Sequence, residues 1–172
     1  MAPHRTQIQA VKPNVHLRRL EPRDLLLVFE WRNLPLIIEL SSSQQPVTWE
    51  QHTAWFPRVL SSDDCLVFII EHNGQPVGQA RFDLDDGPSA IISIYLLPEH
   101  CGHGLGTAAL QLACEQLHAT RPDIPVINAN IRATNARSIQ SFKKAGFRLA
   151  ETGNADESHV RMLLPLPPSH ST

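Results

Sequence analysis

Apolar and polar residues alternate from Val15 to Leu20, as in a half-buried strand, and Pro22 then stands where a first helical turn tolerates it. A helix to about Asn33 is predicted. It is rich in apolar residues from Leu25 to Phe29 and closes on Trp31-Arg32-Asn33, just before Pro35. Thr48 and Gln51 have the spacing of a capping box, which opens a second helix through His52, Trp55 and Phe56, with Pro57 placed to kink it. Cys65 to Glu71 is β-branched and aromatic, Asn73-Gly74 is a strong hairpin signal, and Gln75 to Leu84 reads as the returning strand. After the turn Asp85-Asp86-Gly87-Pro88, the nearly unbroken apolar run Ile91 to Leu97 predicts a central strand covered on both faces and stopped by Pro98.

Thr107 to Thr120 carries Leu110, Ala113, Cys114 and Leu117 at helical spacing. Val126 to Arg132 reads as a strand, Asn135 to Ala145 as a helix ended by Gly146, and Phe147 to Glu151 and Val160 to Leu164 as two last strands. The predicted order is βααβββαβαββ, an α/β fold with a mixed central sheet of about six to seven strands and about four helices. Met1 to Asn14 and Pro165 to Thr172 are polar and carry prolines, so both are predicted as flexible tails around a single domain over 15–164.

At 172 residues one core is enough, and 42% hydrophobic with 19% charged residues excludes a disordered chain or a small disulfide scaffold. Fifteen basic against seventeen acidic side chains leave a net charge of −2, which removes the cationic field that a nucleic-acid partner requires. Cys65, Cys101 and Cys114 are odd in number and far apart, as expected of reduced thiols in a cytoplasmic protein. Met1 to Ala10 has no apolar core of a signal peptide, and no run approaches the ~20 apolar residues of a membrane span. No membrane partner is expected, and the chain is read as a monomer or homodimer.

The chemistry concentrates in His100-Cys101-Gly102-His103-Gly104-Leu105-Gly106-Thr107, which joins the buried strand to a helix. Glycines at alternate positions free one side of the turn of Cβ atoms, and a helix N-terminus adds unsatisfied N–H donors, a combination suited to phosphate or pyrophosphate. The same glycines also serve a plain tight turn. About thirty residues on lies Asn135-Ala136-Arg137-Ser138-Ile139, continuing through Phe142-Lys143-Lys144-Ala145-Gly146-Phe147. With the bend and the strand ending Ile94-Tyr95-Leu96-Leu97-Pro98, this segment resembles the Gcn5-related N-acetyltransferase superfamily, nearest to the branch that acetylates nucleotide-linked amino sugars, as in pseudaminic acid synthesis, and ribosomal-protein N-termini.

The resemblance implies acetyl-CoA as co-substrate, no metal, and a bulged strand that splays from its neighbour to admit the pantetheine arm. Leu97, Cys101, Gly102, His103, Gly104, Leu105, Gly106 and Thr107 would meet pantetheine and pyrophosphate through main-chain amides, with Asn135 and Ser138 on the far side of the arm. The Leu96 N–H would be the oxyanion donor, a role that ignores its side chain. Asn135 is also a plain helix N-cap. Two departures stand out. Cys101 and His103 replace residues that are commonly basic or glutamine, and Phe142, assigned to the coenzyme site, stands four before Gly146, where many relatives carry the tyrosine that protonates the departing thiolate. Water, Ser138 or Tyr95 would stand in as the acid. The carboxylate many relatives carry on this strand is replaced by Ile91 or Ile92, leaving the base unassigned.

His52, Trp55 and Phe56 share one helix face, either as a packing face or, with Trp31-Arg32-Asn33, as a wall of the acceptor pocket with His52 as base or substrate contact. Asp83, Asp85 and Asp86 are either solvated turn formers or an attraction for a cationic amine. Arg132, Arg137, Lys143 and Lys144 are candidates for the 3′-phosphate. The function implied is direct acetyl transfer to a primary amine of a small molecule, an amino sugar or its nucleotide conjugate, with Leu96, Tyr95 and His52 as catalytic candidates. A protein N-terminus as acceptor, or an acyl-CoA-binding module with little catalysis, are the alternatives.

Overall fold

The computed structural model describes residues 13–84, 87–151 and 158–168. Most of the two predicted tails, and the turn residues Asp85 and Asp86, lie outside them. In chain order the elements are β1 (Val15–Arg19), α1 (Leu25–Arg32), α2 (Pro35–Leu40), α3 (Trp49–Leu60), β2 (Cys65–His72), β3 (Gln75–Leu84), β4 (Ser89–Leu96), α4 (Leu105–Thr120), β5 (Val126–Arg132), α5 (Ala136–Lys144), β6 (Arg148–Leu149) and β7 (His159–Pro165). They build one seven-stranded mixed sheet in the order β1-β2-β3-β4-β5-β7-β6.

The sequence pattern missed α2. Pro35, read as the end of α1, is instead the first residue of a new helix, and Leu34 takes the extended conformation (ψ 136°) that a residue before proline prefers. Asn33 then locks the connection: its Nδ2 donates to Phe29 O (3.1 Å) and Val47 O (2.9 Å), and its Oδ1 accepts from Val47 N (2.8 Å). The capping box forms with both of its hydrogen bonds, Gln51 N to Thr48 Oγ1 (3.2 Å) and Thr48 N to Gln51 Oε1 (3.0 Å). The Asn73-Gly74 hairpin also forms, with φ positive at both residues (51° and 77°) as a primed turn demands.

Arg18 on β1 grips the buried Asp24 with two hydrogen bonds (2.7 and 2.8 Å), and Glu71 on β2 with a third (2.8 Å). Burial alone would raise the Asp24 pKa, but the Arg18 guanidinium and the Glu21 N–H outweigh it and hold it below the usual value. The chain entering α1 is thereby fixed to the sheet.

The two faces of the sheet differ in chemistry. One is apolar throughout: Phe82 on β3, Ala90, Ile92 and Leu96 on β4, and Ile127 and Ala129 on β5 pack with Leu105, Ala109, Leu110, Ala113 and Leu117 of α4 and Phe142 of α5. On the other, Ile69 meets Val28, Trp31 and Phe56, while Val67 and Cys65 pack with Val59, so α1 and α3 cover the β2 end. Farther across, alternation and register turn this second face polar, with Gln79, Arg81 and Asp83 on β3 opposite Tyr95, Ser93 and Ile91 on β4. The expected double coverage of β4 therefore holds only in part: Ser93 is exposed, while Tyr95 on the same face packs against Trp31 of α1.

Candidate acetyl-transfer site

β4 and β5 are hydrogen-bonded only at their first residues, Ser89↔Val126, Ala90↔Ile127 and Ile91↔Asn128. Beyond that point each strand keeps its other neighbour: β4 stays on β3 to Gly78↔Leu96, and β5 stays on β7 to Arg132↔His159. The sheet forks at its centre. The fork was expected from the resemblance, but the expected bulge in β4 is absent: its register on β3 is continuous, and the shift lies between Ile70 and Glu71 on β2. Gly78 permits the close approach of β3 instead, since a Cβ there would fall on the Tyr95 carbonyl oxygen and 3.0 Å from Leu96 Cα.

Leu97 N–H donates to Val77 O (2.8 Å), so alternation along the antiparallel pair turns the Leu96 N–H away from β3 and toward the fork. A main-chain donor thus faces the slot, while the Leu96 side chain is buried in the α4 core. The candidate coenzyme cradle is shorter than the sequence suggested. The Leu97 amide is held by Val77, and the Cys101 amide closes a turn onto Pro98 O (3.2 Å), so neither is available to a ligand. Cys101 Sγ points back to the end of β4, to Leu97 O (3.6 Å) and Leu96 O (3.9 Å).

The cradle begins at Gly102 (φ 86°) and Gly104 (φ 75°), where an added Cβ would meet nothing within 4 Å. The first hydrogen bond of α4 runs from Ala108 N to Gly104 O (3.1 Å), which leaves the amides of Leu105, Gly106 and Thr107 without an intrahelical acceptor. Open space in front of unpaired N–H groups at the start of a 16-residue helix fits the pyrophosphate of acetyl-CoA. Across the fork, Asn135 caps α5, its Oδ1 accepting from Ser138 N (3.1 Å), so the capping role holds and Nδ2 has no partner among the described residues. Arg137, Lys143 and Lys144 lie exposed on α5.

Three expectations for side chains need correction. Phe142 is 3% exposed and packs edge-on to Phe147 (centroids 4.8 Å, 75°), a core position enclosed by protein rather than a coenzyme contact. Asp83 is bound by Arg81 (Nε to Oδ1, 2.9 Å) and is not free to attract an amine; Asp85 and Asp86 lie outside the described residues. His52 is 1% exposed, ringed by Phe29, Trp55 and Phe56, and its Nε2 lies 2.7 Å from Leu25 O. A carbonyl only accepts, so Nε2 carries the proton and Nδ1, buried without a partner, does not. His52 therefore clamps α3 to α1 and touches no acceptor.

Burial, reinforced by Arg32 against the Leu25 hydrogen bond, lowers the His52 pKa. A folded-state histidine pKa below the unfolded one gives stability that is complete at neutral pH and declines as pH falls through about 6.5. The His52→Phe variant is expected to lose less of its thermal midpoint between pH 7 and 5.5 than the parent, and to keep kcat. A collapse of kcat in a folded variant would restore His52 as a base.

Tyr95 faces the acceptor side. Its ring packs edge-on to Trp31 (6.5 Å, 88°), and its hydroxyl donates to Gln79 Oε1 (3.3 Å). Burial pushes the phenol well above its usual pKa, against the pull of Arg32, so it is held protonated. Gln79, Asn128, Asn130 and Arg161 also belong to this face and escaped sequence reasoning. The signal was there for two of them: Asn128 and Asn130 break an otherwise apolar strand at alternate positions.

Comparison with known proteins agrees with this geometry. The profile of the acetyltransferase (GNAT) domain matches residues 14–148. An aminoglycoside N(6')-acetyltransferase type 1 from Klebsiella pneumoniae is 26% identical over 149 residues, 78% of this chain and 74% of the relative. The crystal structure of aminoglycoside acetyltransferase AAC(6')-Ib in complex with coenzyme A has a TM-score of 0.75 at 25% identity, over 88% of this chain and 94% of that one. A spermidine N-acetyltransferase from Vibrio cholerae, 18% identical, shares the fold with a TM-score of 0.76 over 88% of this chain and 95% of that one. A family match across most of the chain, over a sheet that forks between β4 and β5 beside a glycine-rich helix start, makes the chain a member of the GNAT acetyltransferase family.

Proposed function

We propose that this acetyl-CoA-dependent N-acetyltransferase acetylates a primary amine of a small molecule, an amino sugar or a nucleotide-linked derivative, by direct transfer in a ternary complex. The observation that carries the reading is the fork with the Leu96 N–H turned into it. Bound acetyl-CoA supplies an activated acetyl group as a thioester. The amides of Gly104 to Thr107 hold its pyrophosphate, and the fork orients its arm. The amine enters from the polar face and its nitrogen bonds to the carbonyl carbon, while Leu96 N–H donates to the oxygen on which negative charge develops. Such a donor contributes about 3 kcal/mol where water is excluded. The C–S bond breaks and the thiolate takes a proton relayed by the Tyr95 hydroxyl, which turns from Gln79 and receives the amine's displaced proton through solvent in the same step, so that no buried phenolate forms.

The amino-sugar preference draws support from relatives named for aminoglycosides. Acceptor-dependent thiol release across a panel of amines tests the reading; absence of both coenzyme affinity and release would sink it. Within it, Tyr95→Phe is expected to lower kcat about a hundredfold, the usual scale of a lost general acid, with acetyl-CoA affinity unchanged. An unaltered kcat would move the proton transfer to water or Ser138.

A further inference from the structure

The polar face through which an acceptor reaches the fork is rich in cationic donors. Guanidinium groups come to it from four elements: Arg32 at the end of α1, Arg81 on β3, Arg132 on β5 and Arg161 on β7. Asp83 is the carboxylate on the β3 stretch of this face, and Arg81 already neutralises it. Arg32 and Arg81 lie on the same indole, 5.7 and 5.5 Å from the Trp55 ring centroid. Arg32 has no hydrogen bond or ion pair among the described residues, and burial, with Arg81 adding to it against Tyr95, lowers its pKa. Among the described residues Arg132 reaches only a main-chain oxygen, Ser41 O at 3.4 Å.

At the last β4–β5 pair a cavity of about 220 Å³ opens, lined by Ser89, Ile91, Asn128, Asn130 and Arg161. Arg161 Nη2 donates to the Oδ1 of the largely buried Asn128 (3.2 Å), which fixes that amide and leaves its Nδ2 unpaired among the described residues. A guanidinium has only donors, and with the Asn128 oxygen accepting from Arg161 the free edge of that amide is its N–H pair, so these two groups together offer N–H bonds and positive charge. Arg32, half-buried without a counter-ion among the described residues, is unfavourable until an anion arrives, while Arg161 is exposed and keeps most of its fork free, a shape that matches phosphate and carboxylate oxygens.

We infer that the acceptor amine is carried on a molecule with an anionic oxygen group, phosphate or carboxylate, received in this cavity by Arg161 and the Asn128 amide under the positive field of Arg32 and Arg132. This rests on the acetyl-transfer reading and deepens it. It separates the chain from relatives named for aminoglycosides, which are polycations and would meet like charge at this face.

Thiol release is measured with matched pairs: glucosamine against glucosamine 6-phosphate, an amino acid against its amide, and kanamycin as the polycation. The first pair reports phosphate and the second carboxylate. In at least one pair the anionic member is expected to have a kcat/KM tenfold or more above its neutral partner, falling with added salt, and kanamycin to be poorest. Arg161→Glu is expected to erase or invert that ratio, and Arg161→Lys to retain part of it. Equal rates within both pairs, or kanamycin as best substrate, overturns the inference while acetyl transfer stands. Should no amine turn over, thermal shifts of the coenzyme-A complex with the same compounds decide it by the same ordering. A protein that binds no coenzyme fails the underlying reading instead.

Discussion

Gly104→Val is expected to abolish measurable acetyl-CoA binding, with affinity falling a hundredfold or more, while the protein stays folded. Gly104 has φ 75° and faces open space ahead of the α4 amides. A β-branched residue in this left-handed conformation costs about 1–2 kcal/mol in the backbone and plants methyl groups where the pyrophosphate would approach. A hundredfold corresponds to about 2.7 kcal/mol, which is reached once one or two charge-assisted bonds from the amides of Leu105 to Thr107 are blocked. Gly74 provides the control. It has φ 77° and also faces open space, but in the β2–β3 hairpin. Gly74→Val carries similar strain without touching the cradle, so calorimetry should show unchanged coenzyme affinity beside a lowered melting point. Equal losses in both variants would mean that strain, not the cradle, explains the effect.

Gly78→Ala should separate chemistry from coenzyme binding. The new methyl would collide with the Tyr95 carbonyl oxygen and press on Leu96 Cα, both backbone atoms that no side-chain rotation can move aside. Backbone on β3 or β4 must move, at a cost of about 1–3 kcal/mol, or roughly 3–10 °C in melting temperature for a chain of this length. The displaced segment carries the Leu96 donor and Tyr95, whereas the cradle lies past the Pro98–His100 turn. The expected result is a kcat reduced a hundredfold or more, with acetyl-CoA affinity within a fewfold of the parent. A misplacement near 1 Å suffices for that loss. Wild-type kcat in the folded variant would show that the position of the Leu96 N–H does not govern transfer.

Asn73-Gly74, Thr48 with Gln51, and Asn135 before α5 all took the conformations their types demand, because a left-handed φ or a three-residue capping bond is specified within one turn of chain. The glycine-rich bend was legible for the same reason: alternate glycines between a strand and a helix mean exposed amides whatever surrounds them. Pro35 shows where local rules divide, since one proline both ends α1 and starts α2, and sequence pattern alone favoured the first role.

What only the tertiary structure decided depends on which surfaces meet. His52 with Trp55 and Phe56 made one helical face, but packing against α1 turned that face inward and made the histidine a clamp rather than a base. The amides of Leu97 and Cys101 looked free in the sequence and were taken by Val77 and Pro98. The length of the fork was set by where β4 and β5 stop pairing while each stays on its other neighbour, β3 or β7, a balance between long-range pairings that neither strand encodes alone. Arg32, which the sequence marked only as part of Trp31-Arg32-Asn33, and Arg161, which no motif marked, lie far apart in the chain; sheet order and alternation gather them on one face, and there their charge acquires its meaning. Dihedral preferences travel with each residue, whereas partners, burial and field arise only once the strands have chosen their neighbours.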